Sequence, residues 1–219
     1  MATEISSFQR RDNDIKPYNK DKISEAFRHA WIAQGWHDDE PRNGPPMKHL
    51  FLLRHAKSDW GSLGLDDFDR PLAPRGIRAC KRLARHIAER RYQFDLVLCS
   101  AAQRAKETWD RIAHEIGCDA PVTYDRDLYL AGEDSFMKQL HGLDDEVRSV
   151  LLVAHNPDIA AFAARLCQDG QADALHRLDA KYPTGGLAAI RIDCAHWADL
   201  RGGRGYLESF VVPRALPDE

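Results

Sequence analysis

Two short apolar runs, each ending in a histidine, constrain this chain more than any other feature. His49-Leu50-Phe51-Leu52-Leu53 leads into Arg54-His55-Ala56, and Ser149-Val150-Leu151-Leu152-Val153-Ala154 leads into His155-Asn156-Pro157. Runs of this length with no polar alternation read as parallel strands buried on both faces. In open α/β sheets, ligands bind beyond the carboxyl ends of the strands. If the two strands are neighbours, Arg54, His55 and His155 share one crevice, and a guanidinium with two imidazoles makes a site for a phosphate.

Between and after these runs the pattern alternates. Residues 75–91 read as a helix with Ile77, Cys80, Leu83, Ala84 and Ile87 on one face. Residues 95–99 read as a strand, residues 103–116 as a helix closed by Gly117, and residues 121–124 as a short strand. Residues 134–140 look helical. A further helix is expected to start at Pro157, with Asn156 as its cap, and to run to about Cys167. Residues 187–192 and 206–212 are late strands, expected as an antiparallel pair at an edge, with a turn over Arg201-Gly202-Gly203-Arg204-Gly205 between them. Strands alternating with helices predict an α/β layered fold with a mostly parallel sheet.

Residues 1–46 differ from the rest. They are polar, carry Pro17, Pro41, Pro45 and Pro46, and show no strand pattern. Ile23, Ala26, Phe27, Ala30 and Trp31 predict one helix within residues 21–36. Two tryptophans there, Trp31 and Trp36, are costly to leave in water, so this arm is expected to cover its own domain or to contact a second copy in a homodimer. Residues 47–219 form the main domain.

Of the 219 residues, 43% are apolar and 30% charged, as in a globular protein, and the net charge of −3 gives no basis for a nucleic-acid or membrane surface. No apolar stretch approaches the roughly 20 residues a membrane span needs. Five scattered cysteines, Cys80, Cys99, Cys118, Cys167 and Cys194, form no Cys-x-x-Cys pair, which is the usage of reduced thiols in the cytoplasm. The ten histidines show no metal-ligand spacing, so no metal and no cofactor are expected.

Taken singly, the motifs are weak. A histidine at a strand end is more often structural, and an arginine in the first turn of a helix is more often solvated. Ser100-Ala101-Ala102-Gln103-Arg104 follows a strand, however, so Arg104 stands beside a helix N-terminus that already favours anions. Cys99 upstream of Arg104 resembles a cysteine phosphatase loop, but four residues intervene where that family uses five, and no glycine loosens the turn. Cys99 is better read as a small buried hydrophobe.

Together the motifs are specific. Leu53-Arg54-His55-Ala56, Asp69-Arg70-Pro71-Leu72 with Arg75-Gly76, Ser100 with Arg104-Ala105 and Thr108, and Val153-Ala154-His155-Asn156-Pro157 occur in order over residues 48–214. Tyr182-Pro183-Thr184-Gly185-Gly186 and Phe210-Val211-Val212-Pro213-Arg214 extend the match. The chain resembles the histidine phosphatase superfamily, and within it the SixA-type phosphohistidine phosphatases. The resemblance implies a phosphoglycerate-mutase-like fold of three layers, α/β/α. It also implies a metal-independent phosphatase in which His55 attacks phosphorus. Arg54 and Arg104 would then bind the phosphoryl oxygens, and His155 would donate a further hydrogen bond, most usefully as imidazolium. Arg70, Asn156 and Trp60 are the expected substrate-binding residues, with Trp60 and Phe68 on one rim of the pocket.

Two departures bear on the substrate. Ala56 stands where the superfamily motif most often has glycine. Many members also place a carboxylate between the two histidines to protonate an alkoxide; the candidates are Glu133 and Asp134, neither in a firm pattern. A missing acid fits a leaving group such as imidazole. The expected partner is therefore a phosphohistidine protein. A small phosphomonoester is the alternative, and a silent phospho-ligand-binding module is a third reading.

Overall fold

The computed structural model describes residues 47–61 and 64–217. The arm, its expected helix and any subunit contact through it lie outside the described residues.

Seven strands form one sheet: β1 (Lys48–Arg54), β2 (Leu96–Ser100), β3 (Val122–Asp125), β4 (Ser149–Ala154), β5 (Cys167–Gly170), β6 (Leu187–Ile192) and β7 (Gly205–Val211). Their order is β3-β2-β4-β1-β6-β7-β5. Every pairing is parallel except those of β6, which runs antiparallel to both β1 and β7. The described helices are α1 (Pro74–Glu89), α2 (Gln103–Ile116), α3 (Glu133–His141), α4 (Asp158–Leu166) and α5 (Ala172–Ala180).

The unbroken apolar runs are explained by the layering. Leu50, Leu52, Val150, Leu152, Ala188 and Ile190 point to one face, where Phe136 of α3 and Phe162 of α4 cover them. Phe51, Leu53, Leu151, Val153, Leu187 and Ala189 point to the other, against Leu83 and Ile87 of α1 and Trp109 and Ile112 of α2. Both faces of a central strand are thus dry, and each fully buried side chain contributes about 1.5–3 kcal/mol. The result is the three-layer α/β/α architecture.

Three expectations are corrected. The late pair β6 and β7 is antiparallel as expected but internal, and the edge on that side is β5, which begins where a helix was expected to end. Cys167-Gln168-Asp169-Gly170 has no alternation to read; only its pairing with β7 makes it a strand. Helix α5 is likewise absent from the pattern reading. Finally, Asn156 does not cap α4: the cap position is Pro157, without a side-chain bond, because the Asn156 amide is engaged elsewhere. Gly117 closes α2 as expected, in the left-handed conformation at φ 63°.

Gly76 in the first turn of α1 shows why the Arg75-Gly76 pair matters. A Cβ there would lie 2.2 Å from the Lys57 carbonyl oxygen, so the helix start packs directly on the backbone that follows His55. Alanine gains about 1 kcal/mol in helix propensity, but the clash with backbone costs more. Gly76→Ala is expected to destabilise the fold by about 2 kcal/mol net in urea unfolding. A neutral or stabilised variant would show that this close approach relaxes freely.

Candidate active site

Strand order builds the site. The order β2-β4-β1 sets three strand ends side by side, about 4.8 Å apart. Register does the rest: Arg54 pairs with Ala154, so His55 and His155 leave the sheet one residue beyond the same level. The His55 backbone N–H donates to the Ala154 carbonyl at 3.1 Å, and the two imidazole centroids are 4.9 Å apart. Cys99 pairs with Val153, which brings Ser100 beside His155.

His55 is 6% exposed, and its tautomer is set by two neighbours of opposite kind. Nδ1 is 2.7 Å from the carbonyl oxygen of Ala56, which can only accept, so Nδ1 carries the proton. Nε2 accepts from Arg104 Nε–H at 3.3 Å, so it carries the lone pair. The loop is pinned by Thr108, whose hydroxyl accepts from the Ala56 N–H at 3.0 Å and donates to the Arg104 carbonyl at 2.6 Å.

Arg54 Nη1 donates to the Tyr182 carbonyl at 2.8 Å, and Asn156 Nδ2 donates to the same oxygen at 3.0 Å. Tyr182 is itself anchored by its hydroxyl on the Leu52 carbonyl at 2.6 Å. His155 Nε2 lies 2.8 Å from Ser100 Oγ, which also accepts the Ala102 N–H. Ser100 can accept the Ala102 N–H and still donate its own proton to Nε2, the arrangement that turns Nδ1–H of His155 outward as a donor. The Arg54 Nε, Arg70 Nε and Nη1, and His155 Nδ1 atoms are buried without a hydrogen-bond partner in the protein. Buried donors without partners are costly, and this group of them around two imidazoles is one that an anion could satisfy, with Asn156 Oδ1 the one unpartnered acceptor beside it.

Asp67, on the 3₁₀ turn Asp67–Asp69, closes the mouth. Its Oδ2 accepts from Arg104 Nη2 at 2.8 Å and from the Tyr129 hydroxyl at 2.7 Å, and Oδ1 pairs with Arg70. Its backbone carbonyl also takes Arg104 Nη1. Partial burial pushes the Asp67 carboxyl up, but the Tyr129 hydroxyl and the Arg104 and Arg70 guanidiniums outweigh it and hold it below the usual carboxylate range. The Arg70 guanidinium stacks 3.7 Å above the Trp60 ring, and Tyr129 stands edge-on to both Phe68 and His155.

Both histidines are neutral near pH 7. Burial, then the His155 charge, pushes His55 well below its ordinary value. Burial and the charges of Arg104 and Arg54 push His155 down to about 3, against the pull of Asp67. Burial and the two nearby guanidiniums thus work against the imidazolium form expected of His155. The consequence for stability has a definite sign. Below about pH 6.5 the unfolded chain binds protons at these positions that the folded chain refuses. Stability is full above that pH and falls as the solution is acidified. For His155 alone the loss between pH 7 and pH 5 is about 2 kcal/mol. Urea unfolding at the two pH values should show this loss, and His155→Asn should reduce it. An equal slope in the variant would place the titration elsewhere.

A family model described as histidine phosphatase superfamily (branch 1) matches residues 50–129. An uncharacterised protein of Mycobacterium tuberculosis is 39% identical over 164 residues, 74% of this chain and all of that protein. Among solved structures, a phosphohistidine phosphatase SixA from Agrobacterium tumefaciens is 32% identical with a TM-score of 0.62, covering 76% of this chain and 98% of that chain. The chain belongs to the histidine phosphatase superfamily. A SixA from Nakamurella multipartitia, 28% identical with a TM-score of 0.66 over 76% of this chain and 96% of that chain, places it with the SixA-type members. It is a phosphatase with the phosphoglycerate-mutase-like fold.

Against this superfamily site, the sequence reading divides cleanly. Arg54, His55, Arg104 and His155 are brought together, with Arg70 and the Trp60 rim at the mouth. Asn156 acts on Arg54 through the shared carbonyl. Glu133 and Asp134, the expected general acids, pair instead with Arg165 at 3.4 and 2.8 Å, and neither bonds to the histidines or arginines of the site. They head α3 and pair with Arg165 in the last turn of α4, Glu133 through Oε1 while its Oε2 is buried without a partner. Cys99 is fully buried and burial holds its thiol far above its ordinary pKa, so it carries no thiolate. Asp67, Tyr129 and the Tyr182 carbonyl were not foreseen. The one local signal for Asp67 was its position three residues before Arg70 in an acidic turn.

Proposed function

We propose that this phosphatase hydrolyses phosphohistidine on protein substrates through a covalent phospho-His55 intermediate. The observation that carries the reading is the tautomer of His55. A nucleophile needs its lone pair aimed into the pocket, and Ala56 and Arg104 together hold Nε2 in that state.

In the first step the Nε2 lone pair attacks phosphorus and the leaving group departs on the opposite side. Arg54, Arg104 and Arg70 take the equatorial oxygens, and His155 donates Nδ1–H to one of them. In the second step water displaces His55 and phosphate leaves. Fixed guanidiniums supply the charge stabilisation that a metal supplies in other phosphatases. The substrate class follows from two features. Glu133 and Asp134 pair with Arg165 and Asp67 is held ionised, which favours a leaving group less basic than an alkoxide, such as neutral imidazole. The mouth also presents Trp60, stacked under Arg70 and 71% exposed, an apolar face suited to the surface of a protein. The five free thiols agree with a cytoplasmic setting.

The deciding experiment is mass spectrometry of acid-labile phosphorylation. The enzyme is mixed briefly with phosphoramidate, quenched at alkaline pH and mapped beside a His55→Ala control. Label on His55, absent from the control, is expected. Label elsewhere, or no label with no turnover, would overturn the mechanism. Trp60→Ala should weaken kcat/KM for a phosphohistidine protein about tenfold while p-nitrophenyl phosphate, which does not reach the rim, is affected far less. Equal losses on both would remove Trp60 from substrate selection.

A further inference from the structure

Asp67 has no place in the mechanism above, yet it is the most heavily bonded carboxylate at the mouth. We propose that Asp67 selects the leaving group by accepting the proton on the distal ring nitrogen of the substrate imidazole, which makes it a determinant of specificity for phosphorus–nitrogen over phosphorus–oxygen bonds. This rests on the phosphohistidine reading and deepens it.

The argument begins with direction. His55 and Arg104 are 6% and 4% exposed and form the floor, whereas the Asp67 side chain is 47% exposed. In-line displacement sends the leaving group away from the nucleophile, so toward the mouth. One guanidinium connects the two ends of that line: Arg104 Nε meets His55 Nε2, and Arg104 Nη2 meets Asp67 Oδ2. A carboxylate offers about four lone-pair directions, and Tyr129, Arg104 and Arg70 take only three through side chains. One remains for a ligand.

Chemistry decides what that ligand is. A carboxylate held ionised cannot protonate an alkoxide. It can hold an N–H that is already there. In a phosphohistidine protonated on its distal nitrogen, the phosphorus–nitrogen bond breaks with its electron pair going to the ring nitrogen. The distal proton stays where it is, and neutral imidazole departs; without that proton the leaving group would be imidazolate. The bond formed is phosphorus to His55 Nε2, and His55 keeps Nδ1–H on the Ala56 carbonyl. The intermediate is therefore the same species, a distally protonated phosphoimidazole. Water then adds to phosphorus, neutral His55 is released, and dihydrogen phosphate leaves. Asp67 would do for the substrate ring what the Ala56 carbonyl does for His55.

The test compares kcat/KM of the full-length wild type and Asp67→Asn on a phosphohistidine peptide and on p-nitrophenyl phosphate, whose leaving group needs no proton. The ratio of the two values should fall about tenfold or more in the variant, the worth of a hydrogen bond to a charged group. Asp67→Glu should recover part of it. Asp67→Ser, with thermal unfolding of each variant, separates this from loss of fold. A ratio unchanged while both activities fall, or both rise because a competing anion has left Arg104, overturns the assignment alone. A wild type that cleaves the aryl ester but no phosphohistidine overturns the substrate reading and this assignment together.

Discussion

Replacing His55 with alanine should lower kcat on every phosphorylated substrate by on the order of 10⁴-fold or more, the scale seen when a covalent nucleophile is removed. The reason is positional as much as chemical. His55 Nε2 is desolvated, carries the lone pair and sits against Arg104, while the Ala56 carbonyl stabilises the proton on the far side of the ring. Water has none of these advantages. Stopped-flow turnover with p-nitrophenyl phosphate, with urea unfolding to confirm that the variant folds, measures the effect. Residual activity above about a hundredth of wild type would mean that water attacks directly and that His55 only binds.

Arg104→Lys should cost about 3 kcal/mol in kcat/KM, roughly 150-fold, although the charge is kept. Arg104 works through a planar fork: Nε on His55, Nη1 on the Asp67 carbonyl and Nη2 on the Asp67 carboxylate. An ammonium makes a point contact and cannot hold nucleophile and mouth in one plane. A surface pair supplies the control. Arg165→Lys, at 40% exposure beside Glu133 and Asp134, should change kcat/KM by less than about twofold. An Arg104→Lys loss below about fivefold would reduce the role of Arg104 to charge alone.

The parts of the molecule readable from residues were those written in local pattern. The runs ending at Leu53 and Ala154 had to be buried strands because they are apolar throughout from Leu50 and from Val150, and a histidine follows each within two residues. Helices α1 and α2 were legible because Leu83 and Ile87, and Trp109 and Ile112, recur at helical spacing against a charged background. Gly117 was legible as a stop because a left-handed residue is needed there. The elements that were missed carry no such pattern. β5 has four residues with a single buried apolar position and is a strand only because β7 lies beside it.

Residue type and strand position were enough to name Arg54, His55, Arg104 and His155, since each is a chemically unusual group directly after a strand or at the head of a helix. Which of them share a pocket depended on strand order, because the neighbouring ends of β2, β4 and β1 bring Arg104 onto His55 and set the two imidazoles 4.9 Å apart. Protonation was also a matter of packing. His155 is neutral because burial and two guanidiniums surround it, and no window of sequence contains those neighbours. The same holds for the carboxylates. Glu133 and Asp134 stood in the expected stretch between the histidines, but Arg165 took them. Asp67, in an acidic turn like many solvated ones, was carried over Arg104 by the loop between β1 and α1. Local sequence names the groups able to do chemistry; the fold decides which of them face one another, and hence their charge and their role, because hydrogen bonds and Coulomb forces act through space and not along the chain.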